Sequence, residues 1–299
     1  MLLKQIKDNT NLLIDMILTD DIELLLAELD DDKGAIIWRN FIRRTRPYEV
    51  KFTKVLKGLF KAQEREVLAN MRKHPKAYRY WPLDGYMADW KQNWLSEWLF
   101  AEMMWRRRFE KEAKPFLGGV LETVGAAELN ELVVGIDFDI NSPAVQDFIS
   151  KNADKYSFHV NDVTIDSLRK QLIAGVKLGE SIPELTKRVN KVFGFAEKYR
   201  ATRISRTEIL KSANMGSEFA YIQSGVVKGK RWLISAGACD FCKYVAAEMN
   251  QRTLGKPWFK KGDKLELPDG QVMMIDYGDI QNPPLHPSGK CTIVAVLKE

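Results

Sequence analysis

Pro283-Pro284-Leu285-His286-Pro287-Ser288-Gly289-Lys290-Cys291 ends a pattern that Cys239-Asp240-Phe241-Cys242 opens. Together they read C-x2-C and, after a gap of 43 residues, H-x4-C, which is metal-ligand spacing. Two thiolates three positions apart can grip one ion from a tight turn. A His/Cys pair on a distant loop can then close a tetrahedron with bonds of about 2.0 to 2.3 Å. The chain between is built to return. Leu265-Glu266-Leu267, Pro268-Asp269-Gly270 and Gln271-Val272-Met273-Met274 read as strand, turn and strand, because Pro fixes φ and Gly supplies a positive φ. A hairpin there brings His286 back toward the two cysteines and predicts a small C-terminal α+β module containing a zinc knuckle.

Three readings of the cysteines stand side by side: a structural Zn2+ site on Cys239, Cys242, His286 and Cys291, a metal-free packed cluster, or a disulfide or catalytic thiol. Free cysteines are often no more than small buried hydrophobes. Their clustering points to the metal, since no cysteine occurs in the 238 residues before Cys239.

The length of 299 residues suggests more than one domain and ample material for a core. A hydrophobic content of 45% and a charged content of 29% are ordinary for a water-soluble chain. The opening Met1-Leu2-Leu3-Lys4-Gln5-Ile6-Lys7 interrupts its only apolar run with charge, unlike a secretory signal. No apolar stretch reaches the roughly 18 residues that a bilayer span requires, so no membrane partner is expected. A reducing cytosol is the expected compartment of synthesis, where thiolate–metal chemistry prevails over disulfides.

The formal net charge of +6 is unevenly spread. Residues 1–32 carry two lysines against nine acids, a balance of −7, and the remainder carries +13. Within it, residues 186–231 hold eleven Lys/Arg against three Glu. Lys187, Arg188, Lys191, Arg200, Arg203, Lys228, Lys230 and Arg231 are therefore candidates for binding double-stranded DNA without sequence preference. The competing reading is a solvated helix face.

Apolar periodicity makes the rest mainly α-helical. Residues 1–32 read as an acidic amphipathic helical arm, either a detachable interaction segment or an ordinary first helical hairpin. A helix is expected from Pro47 to about Lys73, and a second from about Gly85 to Glu112, with Trp90, Trp94, Trp98 and Trp105 along one face. Between Pro115 and Phe158, Gly118-Gly119, Gly125, Gly135 and Pro143 break up the pattern and predict shorter pieces, with a domain boundary near 155. Thr164 is expected to cap a helix ending at Gly179. Ser181-Ile182-Pro183-Glu184 reads as a capping box opening another helix, and a third spans about Ala196 to Ser224, closed by Gly225. The expected division is 1–32, a helical domain over 33–155, and a C-terminal domain over 156–299.

The order of motifs carries a resemblance. Arg203-Ile204-Ser205-Arg206-Thr207-Glu208-Ile209 is followed by Asn214, by Gly229-Lys230-Arg231-Trp232, by the C-x2-C pair and by Pro283-Pro284-Leu285-His286-Pro287 before a cysteine. This resembles the phage head morphogenesis family, the minor head proteins similar to the F protein of phage Mu, over about residues 156–297. The resemblance implies Arg206, Thr207, Glu208, Asn214 and Trp232 as structural motif residues. It implies a minor capsid protein needed for virion assembly, associated with portal and capsid proteins in the virion head interior or portal region after a stay in the host cytoplasm. It also implies no catalytic residues. A DNA-binding protein of the packaged genome is the nearest alternative, and a zinc-dependent hydrolase or nuclease a distant one. One departure is Gly289, where the family's His-Pro-x-Cys-x-Cys has a cysteine. The other is the absence of an acidic residue just before Cys239.

Overall fold

The computed structural model describes residues 33–73, 99–249 and 251–298. The acidic arm of residues 1–32 and Trp90, Trp94 and Trp98 lie outside the described residues, so the readings made of them are not addressed. The described chain is mainly helical and ends in a small sheet module, the expected class. Its elements are α1 (Lys33–Lys73), α2 (Glu102–Glu131), α3 (Pro143–Lys177), α4 (Ile182–Phe195), α5 (Ala201–Ser224), β1 (Val227–Leu233), α6 (Asp240–Glu248), β2 (Gln251–Thr253), β3 (Lys264–Glu266), β4 (Val272–Met274) and β5 (Thr292–Leu297). A π-helical turn, Ala196–Arg200, joins α4 to α5.

Several predicted boundaries move. Pro47 lies inside α1 and Pro115 inside α2, although an interior proline removes a backbone hydrogen bond. Burial on both sides of each proline offsets that loss: Trp38 and Phe41 precede Pro47, Phe52 and Leu56 follow it, and all four are buried. The predicted start of the second helix near Gly85 lies outside the described residues; α2 begins at Glu102, just after Ala101 with its φ of 48°. Thr164 is no cap. It is fully buried in mid-helix and donates to the Val160 carbonyl one turn back. The expected boundary at 155 falls within the unbroken α3, so the division 33–155 and 156–299 is not the one observed. The capping box does form, with the Ser181 backbone N–H donating to Glu184 Oε2 at 2.7 Å. α5 stops at Gly225, whose φ is 67°.

The chain instead packs as two discontinuous units. The described residues of one are 47–73, 99–120 and 139–212, and it is mainly helical. Phe52, Phe60, Phe109, Tyr156, Leu168, Val189, Phe193 and Ile209 are buried in it. The Phe52 and Phe116 rings stack with centroids 5.2 Å apart, and Phe60 meets Phe109 at 5.5 Å. Trp105, the described member of the tryptophan series, is buried with its edge toward Phe109.

The described residues of the other unit are 33–46, 121–138, 213–249 and 251–298. Its sheet has the order β2-β1-β5, antiparallel throughout, with Trp232 opposite Ile293. β3 and β4 form the predicted hairpin, with Gly270 at a φ of 85° in the turn. α5 comes so close to α2 here that a Cβ on Gly216 would lie 2.3 Å from the Leu121 carbonyl oxygen, which leaves room for glycine alone.

Glu128 of α2 accepts from Ser217 Oγ at 3.1 Å and from Tyr221 Oη at 2.9 Å. Burial pushes its carboxyl up to about 7, against the lowering effect of the Tyr221 hydroxyl; Glu131 raises it further, and Ser217 and Arg44 lower it. The folded state therefore holds a proton that the unfolded chain releases near the ordinary carboxylate value of 4.5. The sign follows: this group's contribution to stability falls as pH rises from about 4.5 to about 7, by at most about 1.4 kcal/mol per pH unit. Glu128→Gln should flatten that slope in urea titrations run across this pH range, and should stabilise the protein above pH 7.

Candidate metal centre

Cys239 sits at the N-cap of α6 in extended conformation, and Cys242 lies in the first turn. This brings both sulfurs to the N-terminal end of α6. The return of the chain through the hairpin then delivers His286. Cys239 Sγ is 3.2 Å and Cys242 Sγ 3.8 Å from His286 Nε2, and the three ligand atoms all lie within 4.8 Å of one another. The group is close enough to hold a metal ion. His286 Nδ1 faces the Pro287 carbonyl at 3.1 Å. A proton held there fixes the tautomer and leaves the Nε2 lone pair for the ion, the usual outer-shell support of a ligating histidine.

Cys291, the fourth predicted ligand, stands outside that mutually close group but against Cys242. The contact with Cys242 lowers the Cys291 thiol to about 7, helped by the backbone and hydroxyl of Ser235 and by the Trp232 indole and opposed by burial. The same contact, with burial, pushes the Cys242 thiol up.

The surroundings form a compact apolar shell. Trp232, Cys242, Val245, Trp258, Phe259 and Leu285 are among the residues buried around the site. Trp232 and Trp258 meet edge to face with centroids 5.4 Å apart. Gly289 is buried here too: a Cβ at this position would lie 3.1 Å from Pro284 Cβ and 3.6 Å from His286 Cε1.

Asn214, singled out by its motif, is fully buried on α5 and uses its whole carboxamide. Nδ2 donates to the carbonyls of Pro283 at 3.2 Å and Cys291 at 3.3 Å. Oδ1 accepts from Thr292 Oγ1 at 2.8 Å and the Ile293 N–H at 3.1 Å. One side chain thereby fixes both ends of the loop that carries His286. Trp38 adds a further tie, donating from Nε1 to the Lys290 carbonyl at 2.9 Å. Sequence reasoning missed Trp38 and Ser235, which no spacing rule connects to the cysteines.

The remaining motif residues lie elsewhere. Arg206, 7% exposed, donates from Nε to Glu49 Oε1 at 3.0 Å, beside Ser205, whose hydroxyl donates to the Glu49 backbone carbonyl. Thr207 bonds back to the Arg203 carbonyl within its helix. Glu208 accepts from Asn152 Nδ2 at 3.3 Å, rather than pairing only along its own helix.

The basic series needs correction in three of its members. Arg188 forms a two-pronged pair with Glu180 at 2.6 Å and also donates to Gln171. Arg200 turns inward to Thr164 and the Val160 carbonyl, and burial lowers its pKa to about 10. Lys230 is fully buried on Glu218. A buried cation is held only when paired, so these three serve internal carboxylates, carbonyls and amides instead of a polyanion. Lys187, Lys191, Arg203, Lys228 and Arg231 are exposed.

No described helix is long and apolar enough to cross a membrane. No family model, curated protein or solved structure matches this chain.

Proposed function

We propose that this chain is a non-enzymatic minor head protein of a tailed phage or prophage, acting at the portal and capsid, with a Zn2+ ion organising its C-terminal module. The observation that carries this reading is the Asn214 clamp. Asn214, Trp232, the C-x2-C pair and the Pro-Pro-Leu-His-Pro run are four of the separated motifs of the resemblance, and they converge on one buried knot, apart from the Arg206-Thr207-Glu208 run. A knot of this kind suits a rigid docking module that is built once into a particle.

The donor set fits zinc. Bonds of about 2.3 Å to sulfur and about 2.0 Å to nitrogen place tetrahedral ligand atoms roughly 3.5 Å apart, and the two S–N separations of 3.2 and 3.8 Å bracket that value. Cys239, Cys242 and His286 would hold the ion, with Cys291, beside Cys242, as the fourth ligand. The ion would supply a fixed crosslink between α6 and the His286 loop. Four protein ligands would leave no open position for water, which favours a structural site over a hydrolase or nuclease.

The test is deletion of the coding sequence from the phage or prophage that encodes it, with protein mass spectrometry of purified wild-type heads. The expected result is the chain present in heads at low copy number and defective particles when it is missing. Normal infectious particles without it, together with its absence from wild-type heads, would overturn the reading.

A further inference from the structure

We propose that Lys230 and Asn282 are joined by an intramolecular isopeptide bond, formed by the protein itself with Glu218 as proton shuttle. The three side chains come from different parts of the fold: Lys230 from the central strand β1, Glu218 from α5, and Asn282 from the loop before the His286 turn. Lys230 Nζ donates to Glu218 Oε1 at 2.6 Å and to the Gln281 carbonyl at 2.8 Å. Asn282 Nδ2 donates to Glu218 Oε2 at 2.7 Å. One carboxylate thus holds an amine on one oxygen and a carboxamide on the other, and the amine is also bonded to the residue preceding that carboxamide.

Burial makes the arrangement chemically unusual. Lys230 is 0%, Glu218 1% and Asn282 5% exposed. Asn282 Oδ1 is buried with no hydrogen-bond partner, so the amide is only half satisfied where it stands. Burial also lowers the pKa of Lys230, opposed by Glu218, which brings its neutral, nucleophilic form closer. The Gly255 N–H and Gln281 Nε2 also donate to Glu218 and hold it in place between the reacting groups.

The reaction balances without a cofactor or oxidant. Glu218 takes a proton from the Lys230 ammonium, and the neutral Nζ attacks Asn282 Cγ. When the carboxamide turns over, the protonated Glu218 can donate to Oδ1, giving that orphaned atom its partner and polarising the carbonyl. The Nζ–Cγ bond forms and Nζ gives up a second proton; the Cγ–Nδ2 bond breaks, and Glu218 relays both Lys230 protons to the leaving nitrogen. The products are a secondary amide and ammonium, which carries away the charge that Lys230 first held. The crosslink closes the chain from β1 to the His286 loop, covalently enclosing the segment that bears Cys239 and Cys242. It stands independently of the phage-head reading.

Intact-mass spectrometry of the denatured, reduced full chain tests this. The expected wild-type mass falls short of its sequence by one ammonia, and a protease digest yields Lys230 and Asn282 in a single branched peptide. Asn282→Ala and Glu218→Gln should each carry their full sequence mass. A wild-type chain of full mass with both residues in linear peptides overturns the proposal, and that result requires no variant to fold. A branch at Gln281, or ammonia loss that persists in Glu218→Gln, overturns the assignment of Asn282 or the role of Glu218.

Discussion

Cys239→Ser is expected to unfold residues 227–298 while α3 and α4 keep their structure. A structural zinc site contributes on the order of 10 kcal/mol of folding free energy in small domains, which is comparable to the whole stability of a typical domain, about 5 to 15 kcal/mol. The module around the site has little else to fall back on. Its sheet has three short strands and its separate hairpin two, and the apolar shell is organised about the cysteines themselves. The loss should be local because the helical unit that contains α3 and α4 has its own core of packed aromatics. Hydrogen exchange followed by mass spectrometry reads this directly. Peptides of β1, α6 and β5 should exchange at the unfolded rate in the variant, and peptides of α3 and α4 at the wild-type rate. The same division should appear when a strong chelator is added to the wild-type protein.

Asn214→Ala should cost about 3–5 kcal/mol, at the upper end for a single substitution. A net hydrogen bond is worth about 1 kcal/mol, but a buried group left without its partner costs about 1–3 kcal/mol. Here the truncation strands the Ile293 N–H, the Thr292 hydroxyl and two carbonyls at once. Asn214→Asp is informative beside it. The aspartate keeps an acceptor for Thr292 and Ile293 yet turns an oxygen toward the Pro283 and Cys291 carbonyls, so it should be no better tolerated than alanine. Urea denaturation followed by tryptophan fluorescence checks both, since Trp232 and Trp258 lie in the affected core.

The features readable in the sequence are those set by local chemistry. The Ser181–Glu184 capping box, the stop at Gly225 and the turn at Gly270 depend on a few adjacent residues, and each formed where the spacing put it. The C-x2-C pair and His286 came together because ligand spacing and a hairpin are both short-range signals. Local rules failed where tertiary burial outweighed them. Pro47 read as the start of a helix and Pro115 as the edge of a broken region, yet α1 and α2 run through them because apolar residues on both sides find a core. Thr164 read as a cap, but a buried threonine can satisfy its hydroxyl on its own helix. A boundary at 155 was expected of a chain divided in sequence order, whereas the units here are assembled from separated segments. Lys230 and Arg200 counted toward a basic surface because charge is visible in a sequence and burial is not. Their partners, Glu218 for one and the Val160 carbonyl and Thr164 for the other, lie on different elements.

Elemental analysis of freshly purified protein, kept reduced throughout, most directly tests the claim that the motifs converge on a metal-organised module. The account predicts one zinc per chain, and zinc lost from Cys239→Ser and from His286→Ala. A wild-type chain that is folded and free of metal would contradict it, and would leave the cysteines as ordinary members of an apolar core.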